Sequence, residues 1–144
     1  MMAEPAIEIA VDPQLVVIID DDVKVRQLIT ETLAQLDFRA ESFEAAEQAF
    51  SVIETCHPSL IFLDVALLRS DAIDVLHGLR ERRYKGAVQL MSGGRRLLLE
   101  AIERIGIRDG IRLLEPVSKP FSQETIVHIA QRFAPHKRLG KVQA

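Results

Sequence analysis

Short aliphatic runs separated by helical stripes constrain this chain more than any other feature. Leu15–Ile19 reads Leu-Val-Val-Ile-Ile, and Leu60–Leu63, Val88–Met91 and Ile111–Leu114 follow at regular intervals. Apolar runs of this length, without alternation, fit strands buried on both faces. Phe38–Phe43 alternates poorly and fits an edge strand. Between the runs, apolar residues recur at helical spacing. The stripes are Val25, Leu28, Ile29, Leu33 and Leu36, then Ala45, Ala49, Phe50 and Ile53, then Ile73, Leu76 and Leu79. Leu98, Ala101, Ile102 and Ile105 make a fourth, and Ile126, Ile129, Ala130 and Phe133 a fifth. Asp22 suits the N-cap of the first helix. Ser70-Asp71 opens the third, and Gly106 suits a C′ position closing the fourth. Ser122 suits the cap of the fifth, where Phe121 can staple onto Ile126.

Strands alternating with helices imply a parallel sheet with helices on both faces. Five such units predict an α/β, flavodoxin-like (βα)5 three-layer sandwich with sheet order 2-1-3-4-5. A length of 144 residues suits one domain. We place it at residues 14–134, between an N-terminal tail (1–13) and a C-terminal tail (135–144). Ile7, Ile9 and Val11 alternate in the first tail, as a short strand or dimer arm would; a frayed end is the simpler reading. Arg132 to Lys141 is basic and reads as a solvated end.

The chain is 48% hydrophobic, with a net charge of -3 that argues against a nucleic-acid footprint. Its one cysteine, Cys56, rules out an intrachain disulfide framework and reads as a small, inert residue near the end of helix two. Met1–Gln14 carries Glu4, Glu8 and Asp12 and no Lys or Arg, unlike a secretory signal. No apolar run approaches the roughly 20 residues of a membrane span. The expectation is a cytoplasmic protein with neither membrane nor nucleic-acid partner.

The chemistry gathers at strand ends. In this architecture ligands bind beyond the carboxyl ends of the strands, at the switch between strands one and three. Asp20-Asp21-Asp22 follows strand one, Asp64 follows strand three, Ser92-Gly93-Gly94 follows strand four, and Val117-Ser118-Lys119-Pro120 follows strand five. Crowded acids repel one another when ionised, and a hard divalent cation such as Mg2+ relieves that repulsion. Carboxylates, a cation, a hydroxyl and a lysine are the equipment for handling a phosphoryl group. A carboxylate can itself be the nucleophile.

On these landmarks, from Leu15 to Phe133, the chain resembles a receiver domain of the two-component response regulators. The motifs are Ile19-Asp20-Asp21-Asp22, Leu63-Asp64, Met91-Ser92-Gly93 and Ser118-Lys119-Pro120-Phe121. Arg26 and Leu28 also fall where that family's first helix has a basic and an apolar residue. The resemblance implies Asp64 as phosphoacceptor, with Mg2+ held by Asp20, Asp21, Asp64 and the backbone carbonyl of Ala66. It implies Ser92 as the switch hydroxyl, Lys119 as the ion-pair partner of the phosphoryl group, and a cis Lys119–Pro120 bond. Asp22 is left to cap helix one. The histidines (His57, His77, His128, His136) lack the mutual spacing of a metal or nucleophile site. The phosphoryl donor then belongs to a sensor histidine kinase or a histidine phosphotransfer protein.

The resulting expectation is a stand-alone, chemotaxis-type receiver that signals by protein–protein contact. It would not be an enzyme beyond its own Mg2+-dependent phosphorylation and dephosphorylation. Leu97-Leu98-Leu99 cannot all face the core of helix four. In the family it resembles, helices four and five form an interaction face, so the resemblance implies a homodimer or partner contact there.

Some positions depart from the family pattern. Leu68 and Ala72 stand where a proline and a glycine are common. Pro116 occupies the aromatic switch position, and a proline there cannot donate to a sheet, so strand five should end early or lie at an edge. Ala66 and Gly94, both small, flank the phosphoryl position and leave it open to water. Two other readings compete. One is a haloacid dehalogenase-type phosphohydrolase using Asp20 in an Asp-x-Asp motif, against which Lys24 and the absence of a cap domain count. The other is a non-phosphorylated pseudo-receiver adaptor.

Overall fold

The structure is a computed structural model that describes residues 10–66, 72–93 and 96–133; the side chains of 96–99 and 101 lie outside the description. The elements are β1 (Asp12–Ile19), α1 (Val23–Gln35), β2 (Arg39–Phe43), α2 (Ala46–Cys56) and β3 (Pro58–Asp64). They continue as α3 (Ala72–Glu81), β4 (Ala87–Ser92), α4 (Arg96–Arg108), β5 (Arg112–Ser118) and α5 (Gln123–Phe133). The sheet is parallel, in the expected order β2-β1-β3-β4-β5. Residues 1–9 of the first tail, all of the second, Leu68, Gly94, the Ser70-Asp71 opening of helix three and the side chains of Leu97, Leu98 and Leu99 lie outside the described residues, while Asp12 and Pro13, placed in the first tail, begin β1.

The unbroken aliphatic runs are explained by two-sided burial. Alternate residues of a strand face opposite ways. Val17, Ile19, Ile61, Leu63, Val88 and Leu90 therefore pack on one face with Ile53 of α2, Leu76 of α3 and Ile102 of α4. Val16, Ile18, Leu60, Phe62 and Met91 pack on the other with Ile29 of α1 and Ile126 of α5. Each fully buried Leu or Ile stabilises by roughly 1.5–3 kcal/mol, which anchors the central strands beneath the loops that carry chemistry. β2 carries the poor alternation expected of an edge, with no fully buried residue.

The helix ends follow their sequence signals with one exception. Asp22 caps α1, its Oδ1 accepting the Lys24 N–H at 2.9 Å. That cap contributes about 1 kcal/mol. Ser122 caps α5, its Oγ accepting the Thr125 N–H at 3.2 Å. The exception is Gly106, which does not close α4. The helix continues to Arg108, and the left-handed residue is Gly110 (φ 76°). The Gly110 N–H donates to Ile107 O at 3.1 Å and the Ile111 N–H to Gly106 O at 2.8 Å, a Schellman closure. Gly106 serves packing instead: a Cβ there would lie 2.4 Å from Leu113 Cδ1.

β5 lies at the sheet edge, as its proline requires, but does not end early. It passes through Pro116 by slipping register. Gln89 pairs Leu114 while Met91 pairs Val117, so Glu115 and Pro116 together oppose Leu90, which is a β-bulge. The buried Gln89 carboxamide fills the gap. Its Nε2 donates to Glu115 O at 2.7 Å and to Leu90 O at 3.1 Å. A side chain thus supplies donors where the proline has none. Gln89→Leu is expected to lose about 1–3 kcal/mol, the cost of stranding buried carbonyls. Urea denaturation reads this directly, and an unshifted midpoint would remove Gln89 from this role.

Candidate functional site

Parallel strands bring all their carboxyl ends to one edge of the sheet. The register sharpens this: Ile19 pairs Leu63, Asp64 pairs Met91, and Ser92 pairs Ser118. Asp20, Asp64, Ser92 and Lys119 therefore emerge together. After β1 the chain turns toward β2, and after β3 toward β4. The crevice between these departures is the topological switch point.

Asp20 is fully buried and held at every polar group. Its N–H donates to Phe43 O at 3.1 Å, and its carbonyl accepts Arg26 Nη1 at 2.7 Å. Its Oδ1 accepts the Asp22 N–H at 2.8 Å, and its Oδ2 lies 2.7 Å from Lys119 Nζ. Asp64 is also buried; its Oδ1 accepts the Ala66 N–H at 3.2 Å and lies 3.4 Å from Lys119 Nζ. The Lys119 N–H donates to Ser92 O at 2.8 Å, tying the lysine to the end of β4, where Ser92 is buried. Lys119–Pro120 is cis. Asp21 is exposed at the mouth of the crevice, and Ala66 is exposed beside Asp64.

The electrostatics favour an added cation. Burial pushes the Asp20 carboxyl above its ordinary range; the bonds from Lys119 and the Asp22 N–H pull back, and the Asp64 charge adds to the rise. Burial pushes Lys119 down, but its bond to Asp20 and the charges of Asp20 and Asp64 more than offset this and leave it raised. One ammonium thus faces two carboxylates, Asp20 and Asp64, with Asp21 beside them. Asp20, Asp21 and Asp64 each offer an oxygen, all within 4.8 Å of one another. That donor set is hard and anionic, and it fits Mg2+.

Every site residue proposed from the sequence reaches this one crevice, apart from Gly94, which lies outside the described residues. Asp22 is separated from the cluster by its capping bond. Two participants were not singled out for these roles. Arg26 grips the Asp20 carbonyl, which its position one turn into α1 hints at. Phe43 O receives the Asp20 N–H, and a main-chain acceptor leaves no sequence signal.

Comparison with known proteins gives a consistent picture. The family model described as "Response regulator receiver domain" matches residues 16–131. A curated relative, the probable transcriptional regulator ycf27 of Cyanophora paradoxa, is 23% identical over 117 residues. That alignment covers 81% of this chain but 46% of the relative, so the chain spans under half of it. A response regulator signal receiver domain from Bermanella marisrubri superposes with a TM-score of 0.70 at 19% identity, covering 84% of this chain and 98% of that one. The beryllofluoride-activated NtrC4 receiver domain dimer gives a TM-score of 0.71 at 18% identity, covering 85% and 98%. At such identities the solved structures speak to the fold.

Proposed function

The chain belongs to the response regulator receiver domain family, and on that premise we propose that it accepts a phosphoryl group on Asp64 from a sensor histidine kinase or a histidine phosphotransfer protein. In this reading Asp20, Asp21, Asp64 and the Ala66 carbonyl hold Mg2+. Two-component signalling is the family's setting, and a receiver is a signalling domain rather than a classical enzyme.

The observation that carries the reading is Lys119 Nζ standing 3.4 Å from Asp64 and 2.7 Å from Asp20. In the transfer, an ionised Asp64 oxygen attacks phosphorus. The P–N bond of the donor phosphohistidine breaks, its electron pair returns to the imidazole, and an acyl phosphate forms. No proton need leave Asp64. Lys119 stays charged and balances the incoming oxygens, while the Ser92 hydroxyl closes on another. Bound Mg2+ supplies further charge neutralisation at the phosphoryl oxygens. The burial of Asp64 keeps bulk water from its carboxylate. Ala66 is exposed and too small to shield the group, so water reaches the phosphoryl oxygens from that side.

Output is assigned to protein–protein contact, including a possible second copy, on the face of α4 and α5. Ile107 is 74% exposed there. A groove of about 900 Å3 runs between α4 and β5, past Glu103, Ile107, Leu113 and Pro116. Pro116 carries no aromatic ring to rotate inward, which leaves β4 and the Gln89 bonds to β5 as a route for a change at Ser92. Among the described residues no helix is long and apolar enough to cross a membrane.

The direct test is intact mass after incubation with acetyl phosphate and Mg2+. A gain of one HPO3 unit is expected, and chelation of Mg2+ should prevent it. No adduct from acetyl phosphate, and none from a kinase, would leave the pseudo-receiver adaptor as the better reading.

A further inference from the structure

Arg26 is a cation one turn into α1, where the helix dipole disfavours it. The first turn of α1 holds no acid, and Lys24 is already basic. Something local must reward the placement. The reward in the structure is the 2.7 Å bond from Arg26 Nη1 to the Asp20 carbonyl. Resting on the receiver reading, we infer that Arg26 is a positioning residue of the metal site: it fixes the Asp20–Asp21 peptide and thereby aims the Asp21 carboxylate.

A peptide unit is planar, so pinning the Asp20 oxygen pins the plane and the point from which Asp21 departs. Asp20 itself is held at its N–H, both carboxylate oxygens and its carbonyl. Asp21 is exposed, and its carboxylate makes no hydrogen bond among the described residues. The backbone it springs from therefore fixes its Cα–Cβ direction and limits which rotamers reach the cluster. Its contribution to the three-carboxylate cluster depends on that direction. A guanidinium near a cation site would, as a charge alone, repel Mg2+. Bond geometry and charge therefore predict opposite signs when Arg26 is removed.

Calorimetric Mg2+ titration of the full chain separates them. Arg26→Met is expected to weaken Mg2+ binding about 10–100-fold, the usual penalty for losing an outer hydrogen-bond partner of a metal site. Arg26→Lys should recover part of this, because an ammonium can reach the carbonyl without the planar fork. Urea midpoints taken without Mg2+ show that each variant is folded. Binding that is unchanged or tighter in Arg26→Met, with Arg26→Lys like wild type, overturns the inference. Asp21→Asn reports on the underlying reading separately. If it binds Mg2+ as wild type does, the metal assignment itself fails. If it loses Mg2+ while Arg26→Met does not, only the role of Arg26 falls.

Discussion

Asp64→Asn is expected to abolish the phosphoryl adduct completely, from acetyl phosphate and from any kinase alike. A carboxamide cannot form an acyl phosphate, and Asp20, the other buried carboxylate of the cluster, is engaged by Lys119 and the Asp22 N–H. The loss should not come from misfolding. Asp64 lies in a crowded acidic site, so removing its charge relieves repulsion on Asp20 and should hold or raise the urea midpoint. An adduct surviving in Asp64→Asn would place the acceptor elsewhere. The same pair of variants decides the hydrolase alternative. Turnover of a simple phosphate ester that persists in Asp64→Asn and vanishes in Asp20→Asn would favour Asp20 as nucleophile.

Lys119→Met should be the most destabilising change at the site, about 3–5 kcal/mol in metal-free protein. It leaves a fully buried Asp20 facing Asp64 with no cation between them. Mg2+ should restore part of the loss, about 2.7 kcal/mol at a hundredfold excess over its Kd. The pH profile gives an independent signature. Lys119 is raised above its ordinary 10.5, so its stabilising share is complete below that value and is lost as pH rises through the higher folded value. Asp20 is also raised, with the opposite consequence for an acid. Its penalty is present above the folded value and disappears as pH falls toward 3.8. The wild type should therefore lose stability at the alkaline end, and the variant should lack that limb. A Lys119→Met midpoint equal to wild type across the range would show that the lysine balances nothing in the folded state.

Much of the fold was legible because the chain alternates two unmistakable periods. Buried strands such as Leu15–Ile19 and Leu60–Leu63 have no polar interruption, and the order of the sheet follows from five such units. The site was legible for the same reason: its residues sit where strands stop. What escaped was whatever depends on a partner in another element. Gly106 was read as a helix end from its place after a stripe, yet it is small because Leu113 crowds the helix from β5, and Gly110 takes the left-handed turn. Pro116 signalled an interruption of β5. The continuation needs Gln89, on another strand, to offer its carboxamide. Arg26 stood out as a basic residue, but its reach back to Asp20 follows from helix geometry rather than composition.

The crevice is contributed by β1, β3, β4 and β5, whose pairings join residues far apart along the chain. No contiguous stretch of sequence contains it. Local helices can form early in folding, but long-range parallel pairing is intrinsically slow. An incompletely folded copy therefore lacks the geometry to take up a phosphoryl group. On the proposed function, being phosphorylated would double as proof of assembly, and a nascent or damaged copy would stay silent instead of sending a false signal.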